Sequence, residues 1–91
     1  MADKKITLKI IASDAPIDKR VPEKADMVIM RCVTGDLGVL PGHTPISMVL
    51  DTGTFRIYND GVESKVAVGG GVASVSDDVV TVLTESVEWI A

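Results

Sequence analysis

Apolar and polar residues alternate through Ile6-Thr7-Leu8-Lys9-Ile10, a period of two that sends successive side chains to opposite faces of an extended strand. Residues 27–33 form a mostly apolar run. Further strand-like runs follow at 46–50, 54–58, 62–68, 72–75 and 79–84, recurring about every ten residues. Turn chemistry separates them. Asp51-Thr52-Gly53, Asn59-Asp60-Gly61 and Ser76-Asp77-Asp78 each place Asx, Ser or Gly where a positive φ or an Asx-turn is needed. The clearest is Asn59-Asp60-Gly61, which predicts a three-residue hairpin loop with Gly61 in the left-handed position. No window of helical length carries a sustained 3.6-residue apolar stripe, and Pro16, Pro22, Pro41 and Pro45 would interrupt several candidates.

Twenty-nine of the 91 residues are Val, Ile or Thr, whose stiff β-branched side chains suit a pleated surface better than a helix. The expectation is an all-β single domain spanning residues 1–91. Its strands would form a sandwich, or flattened barrel, of two antiparallel sheets, because one open sheet of this size would leave a face uncovered. A chain this short has a small core whose burial roughly balances its conformational entropy, so a partner would add to its stability. At 46% apolar and 24% charged the chain is not disordered, and no apolar run approaches the ~20 residues of a membrane span. The start, Met1-Ala2-Asp3-Lys4-Lys5, has no basic apolar leader and passes directly into the first strand pattern, which predicts a cytoplasm-like compartment.

Net charge is −4 and unevenly placed: residues 1–31 hold seven Lys/Arg against five acids, residues 32–91 two against eight. With only Phe55, Tyr58 and Trp89 as aromatics and no basic stripe, the chain lacks the stacking platforms and phosphate-neutralising groups of a nucleic-acid binder. The same three aromatics are few stacking surfaces for a free-standing sugar- or ligand-binding sandwich. One cysteine, Cys32, and one histidine, His43, make neither a disulfide nor a zinc site, so no metal or cofactor is expected. Cys32 lies in an apolar run without an adjacent cation to lower its pKa and reads as a small core side chain. A hydrolytic triad of Asp36, His43 and Ser47 can be written down, giving a small hydrolase as the alternative function. No strand-to-helix nucleophile elbow surrounds any serine, however, and His43 reads more simply as a turn residue. Asp77-Asp78 reads as a solvated turn rather than an acid/base pair. Gly69-Gly70-Gly71 marks a bulge or a close backbone approach, because a phosphate loop would need a following helix.

The most unusual segment is residues 34–45, in which three glycines and two prolines surround the aliphatic Leu37, Val39 and Leu40. It reads as a stiff loop that either folds those side chains into the core or presents a preformed contact surface with little entropy left to lose. The run Arg31-Cys32-Val33-Thr34-Gly35-Asp36-Leu37-Gly38-Val39-Leu40-Pro41-Gly42-His43 resembles the amino-terminal domain of the epsilon subunits of bacterial F-type ATP synthases. Two further blocks agree, residues 45–57 and residues 66–83. The resemblance implies a β-sandwich of about ten short strands, an architecture that two packed antiparallel sheets readily provide. It also implies a non-catalytic rotor part that joins the gamma subunit to the ring of c subunits, on the cytoplasmic face of the bacterial cell membrane, without insertion into it and without a small-molecule substrate. In that family the loop matching residues 34–43, Gly35 to His43 among them, faces the polar loops of the c-ring, and a flank of the sandwich packs on gamma. Relatives continue into two carboxy-terminal helices, whereas this sequence stops at Ser86-Val87-Glu88-Trp89-Ile90-Ala91, so the resemblance carries over neither inhibition nor nucleotide binding.

Overall fold

The computed structural model describes residues 4–13, 16–17 and 19–91, so Met1, Ala2 and Asp3 of the expected leaderless start lie outside the described residues. Among the described residues eight strands follow in chain order: β1 (Ile6–Ala12), β2 (Lys24–Ala25), β3 (Met27–Cys32), β4 (Gly35–Val39), β5 (Ile46–Asn59), β6 (Val62–Ser76), β7 (Val79–Thr84) and β8 (Val87–Trp89). They form one hydrogen-bonded sheet ordered β2-β1-β7-β6-β5-β3-β4, with β8 paired to β6. The sheet curls until its β2 end reaches β3 and β5: β2 runs through Asp26 directly into β3, and the Asp26 amide donates to the Tyr58 carbonyl at 2.7 Å. The all-β flattened barrel expected from the pattern is what forms.

Two layers arise because β5 and β6 are long enough to belong to both. Their pairing holds one register from Ile46↔Val75 to Asn59↔Val62. Midway, the parity of the buried positions changes in both strands. In β5 it passes from Leu50 to Phe55 and Ile57, and in β6 from Ser64, Val66 and Val68 to Ala73 and Val75. The switch lies opposite Gly69-Gly70-Gly71. Gly70 and Gly71 have φ of 82° and 120°, and a Cβ on Gly71 would overlap the Leu83 carbonyl, so only glycine fits there. The glycine cluster is therefore the close backbone approach that its composition suggested. With β5 and β6 each taken as two halves, the described residues form ten strand segments.

Four local expectations are corrected. Asp51-Thr52-Gly53 continues β5 through the bend instead of turning, because its pairing to β6 is maintained on both sides. The Asn59-Asp60-Gly61 hairpin has two residues in its turn, Asp60 (φ 52°) and Gly61 (φ 79°), with Asn59 paired to Val62; two positive φ values make the tighter turn that suits twisted strands. One pair, β1 with β7, is parallel, which is open to strands some seventy residues apart that no hairpin constrains. Finally, residues 35–39 are not loop but β4, because the backbone ladder to β3 needs no side chains and so tolerates Gly35 and Gly38.

The core gathers inward residues from both layers around Phe55, Ile6, Met30 and Ile57, all fully buried. Cys32 belongs to it, and burial, with the nearby Asp36 carboxylate, pushes its thiol above the ordinary value. Where the layers meet, Lys5 Nζ donates to Asn59 Oδ1 at 2.6 Å and Asp60 Oδ1 at 2.7 Å, and pairs with Asp26 Oδ1 at 2.9 Å.

Candidate functional site: two outer faces and one end

The register fixes what each outer face presents. Across β1, β7, β6 and β5, Ile11 pairs with Leu83, Leu83 with Val72 and Val72 with Val49. The Val33 amide extends the row by donating to the Val49 carbonyl at 3.1 Å. These five side chains are from 46% to 59% exposed, an unbroken aliphatic row in a chain whose core is already filled. The neighbouring row on the same face is Lys9, Thr81, Ser74 and Ser47. Between the rows runs a shallow groove of about 380 Å³ lined by Val49, Val72, Leu83 and the hydroxyl residues Ser47, Ser74 and Thr81. Hydroxyls beside aliphatics give a face that can lose water at small cost and still supply hydrogen bonds.

The face of β4, β3 and the other halves of β5 and β6 differs. Its outward residues include Asp36 opposite Arg31, Arg56 opposite Lys65, and Tyr58 opposite Glu63. Asp36 lies between Arg31 Nε at 3.9 Å and Arg56 Nη2 at 4.0 Å, both loose contacts between exposed groups. The Tyr58 hydroxyl donates to Glu63 Oε2 at 2.6 Å, which raises its pKa above the ordinary phenol value.

The third feature is one end of the molecule. Leu40-Pro41-Gly42-His43 closes with the His43 amide donating to the Leu40 carbonyl at 3.1 Å, with Gly42 at φ 87°. Proline at the second position and a positive-φ glycine at the third make a type II turn. Leu40 is 56% exposed at its start. The Gly42 amide, which points away from such a turn, donates to Asp78 Oδ1 at 2.7 Å.

The residues singled out from Gly35 to His43 thus divide. Gly35, Asp36, Leu37, Gly38 and Val39 form β4, with Val39 buried and Leu37 packed against the core. Only Leu40, Pro41, Gly42 and His43 form a turn that could act as a preformed contact. Of the three aliphatic residues of the segment, Val39 lies in the core, Leu37 packs against it and Leu40 is the one presented. Asp36, His43 and Ser47 are not brought together as a triad. Asp36 faces the two arginines, Ser47 opposes Ser74 on the other face, and His43 Nδ1 lies 2.7 Å from the Thr44 carbonyl. No hydrogen bond joins the three among the described residues. The aliphatic row escaped the sequence reading; its signal was the apolar residues at outward positions Ile11, Val49, Val72 and Leu83 of strands whose inward positions were already apolar.

Comparison with known proteins gives one answer. The family model described as ATP synthase, Delta/Epsilon chain, beta-sandwich domain matches residues 5–90. A protein of Synechococcus sp. (strain WH7803) named ATP synthase epsilon chain is 41% identical over 91% of this chain, and one of the same name from Bacillus subtilis (strain 168) is 38% identical over 93%. The chain spans 59% and 62% of the lengths of these two relatives. Among solved structures, a chain in the cryo-EM structure of Euglena gracilis mitochondrial ATP synthase, OSCP/F1/c-ring in rotational state 1, superposes with a TM-score of 0.82 at 28% identity. That match covers 93% of this chain and 53% of the other.

Proposed function

The chain belongs to the ATP synthase delta/epsilon family through its β-sandwich domain, and on that premise we propose that it is a non-catalytic part of the central stalk of an F-type ATP synthase, coupling ion-driven rotation of the c-ring to gamma. The observation that carries this reading is the family match across residues 5–90, strengthened by the likeness to a chain of an F1/c-ring assembly. The exposed aliphatic row and the turn end take the two contacts. The aliphatic row of Ile11, Leu83, Val72 and Val49 is the seat for gamma, because a broad, nearly uncharged strand face suits a permanent interface. The end formed by β4 and the turn at Leu40-Pro41-Gly42-His43 faces the polar loops of the c-ring. Leu40, exposed in the free chain and covered on docking, supplies the anchor, and Asp36 on the adjoining charged face a screened, salt-sensitive contribution.

No chemistry on a substrate is asked of this chain: its work is to transmit torque between two neighbours. Among the described residues no helix is long and apolar enough to cross a membrane, and the proposed location is peripheral, at the cytoplasmic face of the bacterial membrane. The test is co-purification with the matching gamma subunit. Co-elution is expected for the parent chain and its loss for Leu83→Glu at unchanged melting temperature. Failure of the parent to co-elute, with both partners folded, overturns the reading.

A further inference from the structure

The turn at residues 40–43 belongs to the connection between β4 and β5, which makes no strand ladder of its own. Its internal bond, from the His43 amide to the Leu40 carbonyl, fixes its shape but not its direction. Direction comes from across the chain. Asp78 Oδ1 accepts the Gly42 amide at 2.7 Å over 36 residues of sequence, while the Asp78 carbonyl accepts the Thr7 amide at 2.8 Å. One residue thus ties the turn to the β6–β7 hairpin and to the start of β1.

Asp78 also occupies an uncommon backbone position. Asp77 (φ 52°) and Asp78 (φ 61°) make a two-residue hairpin turn between Ser76 and Val79, a geometry that glycine and asparagine favour most. The hairpin does not itself require an aspartate at this position. A carboxylate accepting a backbone amide makes a shorter and stronger bond than a neutral acceptor.

We propose that Asp78 is a positioning residue for the docking turn, holding Leu40-Pro41-Gly42-His43 in the orientation that its partner meets. This rests on the reading of that end as the c-ring contact. Asp78 acts through the Gly42 amide: with the acceptor gone, Leu40 samples several directions and ordering it on docking costs affinity.

Asp78→Gly separates the parts of this claim, because glycine suits a φ of 61° and keeps the hairpin while deleting the acceptor. In the 91-residue chain, the Gly42 amide is expected to exchange roughly tenfold faster in Asp78→Gly than in the parent. The melting temperature should be unchanged, and attachment to a c-ring reconstituted with gamma should weaken. Asp78→Asn, which keeps an oxygen acceptor, should restore most of the protection and most of the attachment. Unchanged Gly42 exchange in Asp78→Gly overturns the proposal. So does faster exchange with full ring attachment, provided Leu40→Asp still detaches the ring. If neither Asp78→Gly nor Leu40→Asp affects attachment, the assignment of this end to the c-ring is what falls.

Discussion

On one side of the molecule the outward side chains are Ile11, Leu83, Val72 and Val49 in one row and Lys9, Thr81, Ser74 and Ser47 in the next. On the other they include Asp36, Arg31, Arg56, Lys65 and Glu63. Both sides are built from the same hairpin, β5 and β6, in different halves and at opposite parity. The charged side needs nothing further, since its loose pairs are solvated and worth little. The aliphatic side leaves Ile11, Leu83, Val72 and Val49, with Val33 at the end of the row, about half exposed, although the fold already encloses a complete core. The difference shows that burial in the monomer does not account for the whole apolar pattern, and that the surplus is concentrated on one face.

This contrast can be broken or sharpened by substitution. The largest effect is expected from Phe55→Ala, which removes the largest fully buried side chain from beneath both faces. Denaturant titration should show a loss of about 3–5 kcal/mol, and a small shift would mean that the layers do not share one core. Next comes Gly71→Ala at the parity switch, where the new methyl meets the Leu83 carbonyl and φ is 120°. A loss on the order of 1–3 kcal/mol is expected in the same measurement. An unchanged midpoint would remove the bend as the element that divides the faces.

The seam between the layers should respond to pH. The Lys5 hydrogen bond, helped by the Asp60 amide, holds the Asp26 carboxyl below its ordinary pKa, while Asp60 and then Asp26 raise the Lys5 ammonium. Asp26 binds protons less readily folded than unfolded. Its contribution is therefore complete above the unfolded pKa and is lost as pH falls below about 4 through the lowered folded value. The Lys5 contribution has the opposite sign, being complete below the unfolded value and lost at strongly alkaline pH. The melting temperature of the parent should fall more steeply in acid than that of Asp26→Asn. Parallel curves would show that the seam contributes nothing. The smallest stability effect is expected on the charged face, where Asp36→Ala should stay within about 0.5 kcal/mol. On the proposed c-ring contact, Leu40→Asp should weaken attachment more than Asp36→Ala, since burying an aliphatic side chain outweighs a screened exposed charge. Equal effects would reverse the assignment of the anchor.

Strand positions along β1, β3 and β7 were legible because inward and outward residues alternate or run apolar there over six or seven residues. β4 was not, since Gly35-Asp36-Leu37-Gly38-Val39 carries weak strand propensity and is held by β3 rather than by its own side chains. β2 and β8 are too short to show a period. The continuity of β5 through Asp51-Thr52-Gly53 depends on β6 opposite, so turn-forming residues were read as a turn where long-range pairing overrides them. Leu40 and its turn were visible as Pro-Gly punctuation, whereas Asp78 was not. A bond spanning 36 residues leaves no trace in local pattern.

The bend shared by β5 and β6 has a mechanical consequence. In a sandwich of two separate sheets, a sideways force on one outer surface reaches the other only through side chains sliding against side chains. Here fourteen- and fifteen-residue strands run uninterrupted from one layer into the other. Shear between the two surfaces is therefore resisted by stretched peptide backbone and by its rungs of hydrogen bonds as well as by side-chain packing.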